Sequence, residues 1–98
     1  MVLRPGNRGL AVQLLKIRLD RVRSFIQLYY PASPVWGPSY PENPAYDTIT
    51  FLNIMAFQTM VNRTLKAQKA PLIKVDGVAG DQVFWCLAVI ESQYNIHY

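Results

Sequence analysis

The sequence predicts an all-α fold: a compact three-helix bundle with a long proline- and aromatic-rich loop between the first and second helices. Two observations carry this prediction. Apolar residues recur at helical spacing in three separate stretches. Between the first two stretches, Pro31, Pro34, Pro38, Pro41 and Pro44 exclude regular helix and disfavour a central strand. The length of 98 residues suits one domain, residues 1–98. An apolar fraction of 51% supplies a core, and a charged fraction of only 16% argues against disorder along the whole chain.

The opening LRPGNRG reads as a turn, punctuated by Pro5 and Gly6, with Asn7 as a candidate helix cap. The first helix is expected over about residues 8–29. Its stripe is Val12, Leu15, Leu19, Val22, Ile26 and Tyr29, widened by Leu10, Leu14 and Phe25. Residues 30–46 form the loop, which carries Tyr30, Trp36, Tyr40 and Tyr46. Such rings suit two roles: a lid folded over a small core, or a stacking surface for sugars or a partner.

Asp47 or Thr48 caps a second helix over about 47–68, with Thr50, Ile54, Phe57, Val61 and Leu65 as its stripe. Asn62-Arg63-Thr64 matches a glycosylation sequon, but it falls mid-helix and reads as chance. LIKVDGV is a short extended piece and a turn. A third helix over about 81–93 follows, with Val83, Leu87, Ile90 and Tyr94 in line and Asp81 complementing its dipole. Trp85, inside this helix, is expected in the core.

The net charge is +4, and six of the ten Lys and Arg lie between Arg4 and Arg23. A basic surface favours anionic partners. Lys16, Arg18, Arg21 and Arg23 read as a solvated helix face. No nucleic-acid motif accompanies them, so nucleic acid is not the expected partner. Cys86 is read as a buried, inert thiol. With His97 it makes no zinc site, and no cofactor is expected. No apolar run approaches the length needed to span a bilayer, so membrane insertion is not expected. No signal peptide is visible.

The stretch VDGVAGDQVFWCL is not a Walker A loop, because the lysine and Ser/Thr after the second glycine are missing. It belongs instead to a weak internal repeat. When Asn43–Phe57 is laid on Asp76–Ile90, Thr50-Phe51 matches Val83-Phe84, Ile54 matches Leu87, and Phe57 matches Ile90. Gly77 is expected to supply turn geometry, and Gly80 to let the third helix start close to its neighbours.

These blocks resemble the peptidoglycan-binding-like domain family, small three-helix modules attached to many cell-wall hydrolases. Leu3, Gly6, Gly9, Val12, Leu15 and Leu19 follow that family's opening pattern L-x-x-G-x-x-G-x-x-V-x-x-L-Q-x-x-L. Thr50, Ile54, Phe57 and Gln58 follow T-x-x-A-V-x-x-F-Q. Val75, Asp76, Gly77, Gly80 and Leu87 follow V-D-G-x-x-G-P-x-T-W-x-x-L. Lys16 departs from the usual Gln, Asp81 from Pro and Val83 from Thr. Asn43-Pro44-Ala45-Tyr46-Asp47 replaces the first D-G-x-x-G turn, and the loop before it is longer than usual.

The resemblance implies a non-catalytic module that attaches to peptidoglycan, through glycan strand or stem peptide, at the cell envelope of a bacterium or in a phage product. A cytoplasmic location stays open. Position and chemistry nominate Tyr40, Tyr46, Asp47, Asp76, Gly77 and Asp81 as ligand contacts, with Trp36 as the loop anchor. The six carboxylates do not form a convincing glycosidase pair, and no catalytic set is expected. The alternative expectation is an assembly module, such as a phage or secretion-apparatus component, that holds a protein partner through loop 30–46.

Overall fold

The computed structural model describes residues 1–96; His97 lies outside them. Helix α1 spans Leu10–Tyr29, α2 spans Thr48–Ala67 and α3 spans Asp81–Gln93. The described residues contain no strand, only two isolated antiparallel bridges, Leu3 with Ala79 and Arg8 with Ala45. The apolar spacing places the start of α1 near residue 8. The helix begins at Leu10 because Gly9 holds φ at +129°, outside helical space.

The helices are joined by segments that run back along the helix they leave. Residues 30–47 return along α1. Trp36 Nε1 donates to Leu19 O at 3.2 Å, Ser39 N to Asp20 Oδ1 at 2.9 Å, and Gln13 Nε2 to Pro41 O at 3.1 Å. Residues 68–80 return along α2. Ala70 N donates to Leu65 O, Ile73 pairs with Asn62, and Asp76 pairs with Gln58. Each return brings the chain to the end where its helix began, so the three helix starts gather at one end of the molecule.

The N-terminal segment ties these starts together. Leu3 exchanges both backbone hydrogen bonds with Ala79, at 2.9 and 2.8 Å. Tyr46 N donates to Asn7 O at 2.9 Å, and Gly9 N donates to Pro44 O at 3.0 Å. Tyr46 and Ala79 occupy matching positions of the internal repeat. Both turns therefore dock on one strand-like segment by the same kind of backbone pairing.

The core takes Val12, Leu15, Leu19 and Val22 from α1, Ile54 and Phe57 from α2, and Val83 and Leu87 from α3. The repeat is visible in burial: Thr50 and Val83 are buried alike, as are Ile54 and Leu87. Trp36, 4% exposed, completes the core from the connection and meets Phe57 edge-on, with centroids 5.6 Å apart and planes at 82°.

Three expectations change here. Trp85 is 66% exposed. The buried face of α3 is Val83, Cys86 and Leu87, and Trp85, two residues from both Val83 and Leu87, points to the opposite side. Leu10 and Leu14 are exposed and do not widen the α1 stripe, which ends at Ile26 because Tyr29 is exposed too. Lys16 is not on a solvated face; it is fully buried, with 0% exposure.

Candidate functional site

The turns before α2 and α3 are built alike. Asn43 Oδ1 accepts from Ala45 N at 3.0 Å, and the matching Asp76 Oδ1 accepts from Val78 N at 2.9 Å. Each is a side chain folded onto its own backbone two residues on, a habit of Asn and Asp in turns. Asp47 then caps α2: its Oδ1 accepts from Thr50 N at 3.0 Å and from Thr50 Oγ1 at 2.9 Å. The third helix starts at Gly80 with no side-chain cap.

A buried polar side chain from the preceding helix holds each turn. Gln58, 2% exposed, makes four hydrogen bonds to the second turn. Its Oε1 accepts from Asp76 N and Gly77 N, and its Nε2 donates to Asp76 Oδ1 and Val78 O. Lys16 does the corresponding job in α1, donating from Nζ to Asn43 O at 2.7 Å. Lys16 follows core residue Leu15 as Gln58 follows core residue Phe57. One helical turn further on, Asp20 and Asn62 make the next clamps, to Ser39 and Ile73. Both amide atoms of Asn62 are engaged by Ile73, so the sequon it heads is committed to the fold.

Burial opposes ionisation of Asp47. The Thr50 amide and hydroxyl bonds and the Lys16 charge outweigh it, and its pKa is lowered. Burial likewise opposes ionisation of Asp76, while the Gln58 bond, the Val78 amide and the Lys74 charge bring its pKa down. Tyr46 donates its hydroxyl to Gly77 O at 2.5 Å. Burial pushes its pKa well above the ordinary tyrosine value, so it is a neutral donor here.

The nominated residues separate into two groups. Trp36 and Tyr46, 4% and 2% exposed, are packed in the core, with their polar atoms bonded inside the protein. Their rings present no face to a ligand. Gly77 is also buried, with φ at +72°, and a Cβ there would lie 2.4 Å from the Phe51 ring. Gly80, by contrast, has open space where a Cβ would stand, so close helix approach does not require it.

Tyr40 and Asp81 are exposed, and Asp47 and Asp76 are half-buried. Asp76 and Asp81 border a shallow groove of about 170 Å³ with Gln58, Lys74 and Gln82. Its charged groups, carboxamides and helix-start amides can bond polar ligands. Among the described residues, no three His, Cys, Asp or Glu are grouped to hold a metal.

Four features escaped the sequence reading: the Lys16 and Gln58 clamps, the exposed Trp85, and a larger groove. That groove, about 480 Å³, lies at the other end of the bundle, between the C-terminal halves of α2 and α3 and the end of α1. Met60, Leu65, Trp85, Val89 and Tyr94 line it, with Cys86 at its floor. The clamps had one sequence signal: a polar residue directly after a core residue, repeated in two helices.

Neither protein-family models, nor curated proteins, nor solved structures give a match to this chain. No helix among the described residues is long and apolar enough to cross a membrane.

Proposed function

We propose that this chain is a non-catalytic binding module that attaches to bacterial cell-wall peptidoglycan. The observation that carries the reading is that the three blocks resembling the peptidoglycan-binding-like family bind one another. Leu3 of the first block pairs with Ala79 inside the third, and Gln58 of the second holds Asp76 and Gly77 of the third. The residues that carry the resemblance thus act as one structural unit.

The groove beside Asp76, Lys74, Asp81 and Gln82 is the contact surface of this reading. Carboxylate, ammonium and carboxamide groups there match the amides and carboxylates of a stem peptide. The start of α3 adds unpaired backbone amides. Tyr40 is the exposed ring among the nominated loop aromatics and supplies sugar stacking. The net positive charge adds a salt-sensitive attraction to an anionic wall. The module itself performs no chemistry; it raises the local concentration of whatever is linked to it.

Co-sedimentation with purified peptidoglycan sacculi tests this, at low and at physiological salt, against an unrelated protein of similar pI. Retention at physiological salt above the control is expected. Loss of retention is expected in the Lys74→Ala and Gln82→Ala variants, whose exposed side chains form no hydrogen bond or ion pair among the described residues. Retention no better than the control would end the reading.

A further inference from the structure

We propose that the groove between the C-terminal halves of α2 and α3 docks an amphipathic helix of a partner protein, one with carboxylates along the edges of its apolar stripe. The groove's size is about 480 Å³. On α2 its lining recurs as Met60, Thr64 and Gln68; on α3 it recurs as Trp85, Val89 and Gln93. Each set is spaced four residues apart, so two helix ridges flank a channel. A channel between ridges accepts the ridge of another helix. Trp85, 66% exposed on one wall, is the large aromatic that such a helix would cover.

The charge around this channel selects the partner. Arg63 stands three residues after Met60 and so beside it on the outer edge. Lys69 follows Gln68, just past the end of α2. Both are exposed, and neither forms an ion pair with a carboxylate of the described residues. Among the described residues, no carboxylate lines the channel. Glu91 binds Arg18 at 2.5 Å, and Asp20 accepts from Ser39 N. Asp47, Asp76 and Asp81 belong to the opposite, helix-start end.

A helix edged with Glu or Asp therefore complements the rim, whereas a second copy would bring Arg63 and Lys69 against their own kind. An anionic bilayer also complements the charge, but a flat surface cannot reach the floor of a channel. The inference is independent of wall binding, because the wall groove lies at the other end of the bundle.

The probe is a fluorescent synthetic helix of about five turns, with a leucine stripe edged by Glu, measured by anisotropy. A second peptide carries the same stripe edged by Lys. The Glu peptide is expected to bind at least about tenfold more tightly than the Lys peptide. Trp85→Ala, and separately Arg63→Glu with Lys69→Glu, should each weaken it about tenfold or more. All three positions are exposed, so circular dichroism should confirm that the variants stay folded.

Failure of the Glu peptide to bind, equal binding of both peptides, or indifference to Trp85→Ala would overturn the proposal. Flotation with phosphatidylglycerol vesicles without peptide binding would assign the face to a membrane and also overturn it. So would dimerisation abolished by Trp85→Ala. Retention on sacculi should be the same for Trp85→Ala and the unaltered chain, which keeps the two readings separable.

Discussion

Lys16 carries a full charge stem into the core and ends on one backbone oxygen, that of Asn43. Replacing it with Met keeps the apolar stem and removes the donor. The Asn43 carbonyl then loses its partner, at a cost of about 1–3 kcal/mol in urea denaturation. Lys16→Gln should recover part of that loss, because Gln58 fills the same role in α2. The Lys16 charge also helps lower the Asp47 pKa, so NMR titration of Lys16→Met should find that pKa moved back up. Gly77→Ala should cost about 2 kcal/mol or more, since the residue combines positive φ with a ring 2.4 Å from any added Cβ. Gly80→Ala meets no such obstacle. An unchanged Gly77→Ala midpoint would contradict this account of the turn.

Among the elements, α2 and α3 differ in how they start. The Asp47 cap holds α2, and Asp47→Ala should destabilise the fold by about 1 kcal/mol. Asp47 and Asp76 both have folded pKa values below those of unfolded aspartate, about 3.9. Their ionised forms therefore stabilise the fold. That contribution is full above about pH 4 and is lost as pH falls through the folded values. Stability measured against pH should fall on the acid side, and Asp47→Asn should flatten that limb. A limb unchanged by the substitution would remove Asp47 from the explanation. The connection 30–47 behaves as a structural element in its own right. Trp36→Ala should cost about 3–5 kcal/mol, while Tyr40→Ala, at an exposed ring, should stay within about 0.5 kcal/mol. Excision of Pro31–Pro44 would remove the Trp36 anchor, so Tyr40→Ala is the cleaner probe of the loop surface.

At the scale of the molecule, the helix starts and capping carboxylates collect at one end, and the apolar channel with its basic rim lies at the other. This polarity gives the chain two separable surfaces. The cationic face read from α1 shrinks in the folded protein, because Lys16 is buried and Arg18 is paired with Glu91. Salt should therefore weaken nonspecific retention on duplex DNA steeply and leave no plateau at physiological salt. A salt-resistant, sequence-selective complex would argue for a nucleic-acid surface instead.

Much of this organisation was legible in the residues, and the limit is physical. Helical spacing located three helices, and the Asp and Gly residues marked their turns, because backbone geometry restricts such positions locally. The match of Asn43–Phe57 to Asp76–Ile90 also survives in three dimensions as shared turn bonds and shared burial. Exposure of particular side chains was not legible. Trp36 and Trp85 have the same chemistry, yet one fills the core and the other stands in solvent. That choice depends on which face of α3 meets α1 and on how the connection returns, and neither is encoded by periodicity alone. Lys16 is the sharpest case. Its residue type predicts solvent, and only the return of residues 30–47 along α1 places a carbonyl where its ammonium group can be held. Sequence determined the helices and their turns through local geometry. Tertiary packing decided which polar groups are buried and which rings face outward, because burial depends on partners distant in the chain.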